Sequence, residues 1–282
     1  MVAFIGMGLL GSNFVKSMLK RGIAVQVWNR TPERATALEA FGAKAFAHVS
    51  DAVKGASRVH ITLVDDAVVD EVLTQAEAGL APGTIIIDHT TTSAPGAANR
   101  AAAWRAKGFY YLHAPVFMGP INALESTGVM MASGNEQLFK QVEAELTAMT
   151  GRLVYLGPQP ERAAGMKLMG NLFLISITSG LSDTFGLAKS LGMPGEDVLQ
   201  LFDFFNPGPM VPARAKRILN AQFDEPSWEL KMARKDARLM IEQAASKNIK
   251  LPATAATAQL MDEWIAKGKG SKDWNIIASD NL

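Results

Sequence analysis

"VAFIGMGLLGSNFVKSML", residues Val2 to Leu19, sets four apolar residues directly before Gly6-Met7-Gly8-Leu9-Leu10-Gly11, and a helix-spaced pattern follows. Glycines by themselves are a weak signal, because most such matches are ordinary turns. Here the flanking residues add to them. Val2–Ile5 reads as a buried first strand and Gly6 as a tight turn. Gly8 would let a pyrophosphate approach the backbone, and Gly11 would let the helix pack closely on the strand. The helix start would supply unpaired N–H donors and positive potential. Gly6, Met7, Gly8, Leu9, Leu10 and Gly11 are therefore the candidate phosphate cradle of a dinucleotide; a plain β–turn–α unit is the simpler alternative.

The second strand indicates which dinucleotide. NAD sites usually carry a carboxylate about 20 residues further on, where it holds the ribose 2′-hydroxyl. Here the second strand ends in Trp28-Asn29-Arg30-Thr31-Pro32-Glu33-Arg34, with Asn29 at the ribose position. Arg30 and Thr31 suit a 2′-phosphate, and Arg34 adds a second cation one helical turn on. The cluster predicts NADP(H). For Arg34 alone, a surface arginine beside a helix start is an equally simple account.

Working outward, strand-like runs (Ala24–Trp28, Arg58–Val64, Thr84–Asp88, Tyr110–Val116) alternate with helical spacing over 10–20, 32–41, 68–75 and 97–107. That alternation predicts an α/β fold, a doubly wound parallel sheet of Rossmann type with helices on both faces. Val129–Ala132 and Leu153–Leu156 are expected to extend the sheet. After Gly157 the strand signal stops, and a long helix over about 162–192 leads into further helical segments. The expected division is a dinucleotide-binding domain over 1–160 and an all-α domain over 161–282.

Composition excludes several classes. The 28 Lys plus Arg and 27 Asp plus Glu leave a formal net charge of +1, so nothing calls for nucleic acid or an anionic membrane. With no cysteine there are no disulfides, thiol nucleophiles or cysteine metal sites. No basic n-region opens the chain, and the apolar run Leu172–Ile177 stops at Thr178-Ser179-Gly180, short of a bilayer span. The expectation is a soluble, cytoplasmic protein.

A second motif opens the long helix: Ala164-Gly165-Met166-Lys167-Leu168-Met169-Gly170-Asn171. Lys167 and Asn171, four apart, share one helix face in apolar surroundings, where an ammonium needs a partner or a task. A lysine snorkelling to solvent beside a surface asparagine is the other reading. His89 and His113 fall at carboxyl ends of strands, where ligands bind in such sheets. No third ligand has suitable spacing, so no metal site is expected; one histidine is expected to be structural and the other to line the cleft.

GMGLLG, WNRT, Asp88-His89-Thr90-Thr91, Ala114-Pro115-Val116, the Lys167/Asn171 pair and Lys235-Asp236 occur in one order. Together they resemble the β-hydroxyacid dehydrogenase family, which includes 3-hydroxyisobutyrate dehydrogenases and glyoxylate/succinic semialdehyde reductases and is akin to 6-phosphogluconate dehydrogenase. The resemblance runs over nearly the whole chain. It implies that Leu63 and Val64 flank the cofactor and that Thr90 lies by the nicotinamide ribose or the substrate. It also implies Lys167 as catalytic acid/base, Asn171 as substrate-positioning, and Lys235, braced by Asp236, approaching the cofactor. A cleft between domains and a dimer or tetramer through the helical half follow from the same resemblance.

The chain departs from the family after Ala114-Pro115-Val116, where Ser-Gly-Gly usually offers a hydroxyl and backbone donors to a substrate carboxylate. Here Phe117-Met118-Gly119-Pro120 stands instead, and position 113 is His where the family generally has Asp. Phe117, Met118 and Gly119 are thus candidate substrate-facing residues of altered character. The expectation is NADPH-dependent reduction of a small aldehyde, semialdehyde or keto compound, with apolar substrates favoured. An imine reductase is the nearest alternative, though those enzymes generally lack the lysine. A non-catalytic NADPH sensor is the alternative of another class.

Overall fold

Residues Val2–Ile5 form β1, inside a six-stranded sheet whose strand pairs all run parallel. The computed structural model describes residues 1–282, which divide into two units, Met1–Asn171 and Leu172–Leu282. In the first unit, β1 is followed by α1 (Leu9–Lys20), β2 (Val25–Trp28), α2 (Pro32–Thr36), β3 (Lys44–Ala45) and α3 (Val49–Ala52). Then come β4 (Arg58–Ile61), α4 (Asp66–Ala76), β5 (Ile85–Asp88), α5 (Ala94–Ala106) and β6 (Tyr110–His113). The strand order is β3-β2-β1-β4-β5-β6. It reverses between β1 and β4, which leaves a crevice at the carboxyl ends of those two strands.

Alternation along the strands sorts the core into two layers. Phe4, Ile85 and Ile87 pack with Phe14, Val15 and Met18 of α1 on one face. Ala3, Ile5 and Ile86 pack with Val69, Leu73 and Trp104 of α4 and α5 on the other. Because both faces are covered, the central strands read as unbroken apolar runs.

Beyond β6 the chain forms β7 (Val116–Phe117), α6 (Pro120–Glu125), β8 (Val129–Ala132), α7 (Glu136–Thr147) and β9 (Arg152–Tyr155). The two later strand runs do not extend the parallel sheet. They build a separate three-stranded sheet, β7-β8-β9, with β7 antiparallel to β8. Pro115 breaks the run that sequence alone reads as one strand over 110–116, and the residues after it pair with β8.

The helix α8 spans Arg162–Ser190, 29 residues, and its turns through Asn171 belong to the first unit. It does not stop at Thr178-Ser179-Gly180: within the helix the hydroxyls of Ser176 and Thr178 are satisfied by the carbonyls of Leu172 and Leu174. By length and composition it is therefore long and apolar enough to cross a membrane, a test that core helices of soluble proteins also pass. The second unit continues with α9 (Gly195–Phe204), α10 (Val211–Leu219), α11 (Leu230–Ala245) and α12 (Pro252–Ala266). Its core gathers Leu230, Ala233, Ala237, Ala258, Met261 and Ile276.

Candidate active site

The glycine turn has the geometry its spacing requires. Gly6 sits at φ +95°, and a Cβ there would lie 2.1 Å from the carbonyl oxygen of Thr62. A Cβ on Gly11 would lie 1.9 Å from the Gly6 carbonyl, so helix and strand approach as only glycine permits. Thr62, unnoticed in the sequence, donates its hydroxyl to that same carbonyl at 2.8 Å. Beside Gly8, by contrast, the space is open. No side chain caps α1 and no carboxylate stands in its first turn. An uncapped 12-residue helix with open space at its start is a fitting seat for a pyrophosphate through the amides of Leu9, Leu10 and Gly11.

Asn29 uses its amide on the loop itself. Its oxygen accepts from the Met7 N–H and its nitrogen donates to the Thr31 carbonyl, each at 2.9 Å. The end of β2 is thereby tied to the glycine turn. Arg30, Thr31 and Arg34 are exposed beyond it, and neither arginine has a carboxylate partner. Across the crevice, Leu63 donates its N–H to Thr90 Oγ1 at 2.9 Å, joining the ends of β4 and β5; Val64 is exposed and Thr90 buried.

Asp88, at the end of β5, is fully buried and holds the Thr90 N–H at 2.8 Å. Its other oxygen accepts from the Tyr111 hydroxyl at 2.5 Å, and Arg100 Nε donates to that hydroxyl at 3.1 Å. Arg100 in turn meets Asp66 at 2.6 Å and Asp70 at 3.2 Å. Burial works against the Asp88 charge, but His113 Nδ1 at 3.8 Å, Tyr111 and Thr90 outweigh it and hold the carboxyl below its usual range. Neither strand-end histidine lines open space. His113 is wholly buried with no hydrogen-bond partner on either ring nitrogen, and His89 is buried among Phe4, Phe14 and His60. Strand alternation turns both rings into the interior.

Lys167 stands in the second turn of α8, with its Nζ 4.3 Å from the centroid of the Phe117 ring. No carboxylate pairs with it, and burial lowers its pKa. The Phe117 ring lies against Gly170, where a Cβ would come within 2.2 Å of Cζ. Phe117, Lys167 and Gly170 thus form one cluster, with Asn171 next on the helix. Met118 instead packs against the core beside Gly128. Gly119 caps α6 and donates its N–H to Asn122 Oδ1 at 2.8 Å. Lys235 lies on α11 in the second unit, paired with Asp236 at 2.5 Å.

The family described as "NAD binding domain of 6-phosphogluconate dehydrogenase" matches residues 1–157, and "NAD-binding of NADP-dependent 3-hydroxyisobutyrate dehydrogenase" matches 162–279. The chain belongs to the β-hydroxyacid dehydrogenase family. It is an NAD(P)-dependent oxidoreductase. Among relatives, it is 25% identical over 280 residues to glyoxylate/succinic semialdehyde reductase 1 of Arabidopsis thaliana, covering 98% of this chain and 96% of that one. It is 24% identical over 281 residues to 3-sulfolactaldehyde reductase of Escherichia coli, covering 98% and 94%. Among solved structures, an imine reductase from Myxococcus stipitatus in complex with NADP+ superposes with a TM-score of 0.91 at 21% identity, covering 99% and 98%. At that identity the likeness to the imine reductase is one of fold.

Proposed function

We propose that this β-hydroxyacid dehydrogenase relative is an NADPH-dependent reductase of small, uncharged carbonyl compounds, with residues 1–160 binding the cofactor and 161–282 serving substrate and assembly. The observation that carries the substrate class is Lys167 over Phe117: the ammonium meets an aromatic face, with no second cation beside it. A substrate carboxylate needs several donors, since an unpaired buried anion costs several kcal/mol. Phe117 offers no hydroxyl, Pro120 has no N–H, and the Gly119 N–H is engaged by Asn122.

Bound NADPH would supply a hydride for the carbonyl carbon. Lys167 Nζ stabilises the charge growing on the oxygen and gives up a proton to it, while Asn171 and Thr90 orient the substrate. Arg30, Thr31 and Arg34 would hold the 2′-phosphate. The unpartnered arginines where an NAD enzyme carries a carboxylate support NADPH.

Imine reduction is a second reading, favoured by the apolar Phe117 face and the fold likeness to imine reductases. Lys167 supports carbonyls as the main substrates. Retention of Lys167, Asn171 and the open Gly8 cradle together argues against a non-catalytic sensor.

The exposed apolar residues of the helical half favour a homodimer or homotetramer, which we place in the cytoplasm. Leu172, Leu174 and Ile175 of α8 are more than half exposed and call for cover. Asp183 in the same helix accepts from the Thr254 N–H and hydroxyl at 2.7 and 2.8 Å, which favours a second copy over lipid as that cover.

The test is NADPH oxidation with a semialdehyde, an uncharged aldehyde of equal length and a cyclic imine, in the native protein and in Phe117→Ser. The uncharged aldehyde should be preferred, and serine should shift kcat/KM toward the semialdehyde about tenfold, the scale of one hydrogen bond. A native enzyme that prefers the semialdehyde by orders of magnitude, with no gain from serine, overturns the substrate class.

A further inference from the structure

From the end of β5, a line of three hydrogen bonds crosses the interior on the face of the sheet that α1 covers. His89 Nδ1 lies 2.7 Å from the Ala114 carbonyl oxygen. Its Nε2 lies 2.9 Å from His60 Nδ1 on β4, and His60 Nε2 lies 2.7 Å from Glu145 Oε1 on α7. The two rings lie edge to edge and nearly coplanar, with centroids 5.2 Å apart and planes 15° apart; Phe4 runs nearly parallel to His60 and Phe14 is tilted against His89.

Each of these bonds needs one proton between its two heavy atoms, and the Ala114 oxygen can only accept. Two neutral imidazoles carry one N–H each. The third proton must therefore reside on one ring or on the Glu145 carboxyl, and with it the chain is neutral overall. Burial, and then the neighbouring His60, push His89 down to about 3, so His89 stays uncharged. Burial opposes the Glu145 charge, but His60 and Arg58 hold that carboxyl below its usual range. His89 thus keeps only its Nδ1 proton, and the third proton sits in the 2.7 Å contact between His60 Nε2 and Glu145 Oε1.

The charged groups facing the chain are few. Arg58 Nε stands 3.7 Å from Glu145 Oε2, Arg21 at the end of α1 feels the Glu145 charge, and Asp88 and His113 act on His89. At its inner end, the chain grips Ala114, whose N–H bonds to the Asp88 carbonyl at 2.7 Å. Thr90 follows His89, and the Pro115–Phe117 segment follows Ala114.

We propose that His89, His60 and Glu145 form a buried, proton-locked chain that positions the Thr90 and Phe117 segments at the ends of β5 and β6. All three are positioning residues, since none faces open space beside Gly8 or Lys167. The inference rests on the assignment of those strand ends to cofactor and substrate. It predicts a particular pH response. Once pH rises far enough for the third proton to leave, His60 Nε2 and Glu145 Oε1 face each other as two acceptors, and the grip on Ala114 loosens.

The full-length protein, labelled with 15N-histidine, tests the proton count by NMR. At neutral pH His89 should show Nδ1–H with a bare Nε2, and His60 should show Nδ1–H with its Nε2 in a proton-bearing hydrogen bond to Glu145. In Glu145→Gln the amide N–H supplies the third proton, so His60 Nε2 should be a bare acceptor. NADPH titrated into the same proteins without substrate tests the positioning. Glu145→Gln should bind within about threefold of native and lose the alkaline fall in affinity, whereas Glu145→Leu should bind about tenfold more weakly. A bare Nδ1 on His89 in the native protein, a Gln variant as weak as Leu, or a Leu variant as tight as native each overturns the proposal. Thr90→Val is the separating control. If it leaves NADPH affinity unchanged, the assignment of that strand end fails and the positioning role with it, while the proton count stands on the NMR alone.

Discussion

The Phe117 ring occupies the volume into which a side chain at position 170 would grow: a Cβ on Gly170 would lie 2.2 Å from Phe117 Cζ. The two residues are therefore coupled in sign. With Phe117 present, Gly170→Ala should destabilise the protein by about 1–3 kcal/mol through overpacking. In a Phe117→Ser background the clash is gone, and alanine should instead stabilise α8 by up to about 1 kcal/mol through helix propensity. Urea unfolding of the four proteins measures the cycle; additive effects would show that the ring yields without cost.

Arg30 should decide the choice of cofactor. NADPH should bind far more tightly than NADH, and Arg30→Ala should cut that advantage by roughly 10–100-fold, as for a charge-assisted phosphate contact. Equal binding of both cofactors by the native protein would overturn the assignment. Arg34→Ala should have the smaller effect of the two, since it stands a helical turn further on.

Lys167 links burial to the pH profile. In the proposed mechanism reduction needs the ammonium form, and burial lowers the Lys167 pKa from the ordinary 10.5. The rate of carbonyl reduction should thus fall as pH rises through a value below 10.5. Lys167→Ala should lower kcat by at least about 10²-fold, abolish that limb and leave NADPH affinity nearly unchanged. A variant with the native rate would make Lys167 structural.

Much of this architecture is legible in the residues because each signal is local. The β1–turn–α1 unit is written in contiguous apolar and glycine positions, and the parallel sheet in runs buried on both faces. The six-residue helix α6, the two-residue strand β3 and the split between β6 and β7 are set by tertiary pairing and leave little periodicity to read. Within the site, the Lys167/Asn171 spacing is visible because a helix imposes it. The tie from Asn29 to Met7, the packing of Phe117 on Gly170, and the turn of Met118 into the core depend on residues far apart in sequence. So does the fate of the histidines: His60 gives no clue until Glu145, 85 residues later, is folded beside it.

Asp88 should make stability fall on acidification. Its carboxyl is held below the usual range, so its contribution is complete above the unfolded-state value and is lost as pH falls through the lower folded value. Asp88→Asn should cost about 1–3 kcal/mol near neutral pH, by leaving Tyr111 and the Thr90 N–H poorly matched. The variant should then be flatter than native across the acid range. Unfolding midpoints in urea at a series of pH values would show this, and parallel curves for the two proteins would place the acid sensitivity elsewhere.

The exposed apolar residues of α8 also bear on how the protein behaves during synthesis. Leu172, Leu174 and Ile175 lie in open contact with water until something covers them. A newly made chain meets few others like it, so its first minutes are its most aggregation-prone. Yield should then depend on how fast copies encounter one another, and slower expression need not rescue a poorly soluble preparation. With a second copy as the proposed cover, a charged substitution such as Ile175→Glu should keep the isolated chain in solution and block self-association.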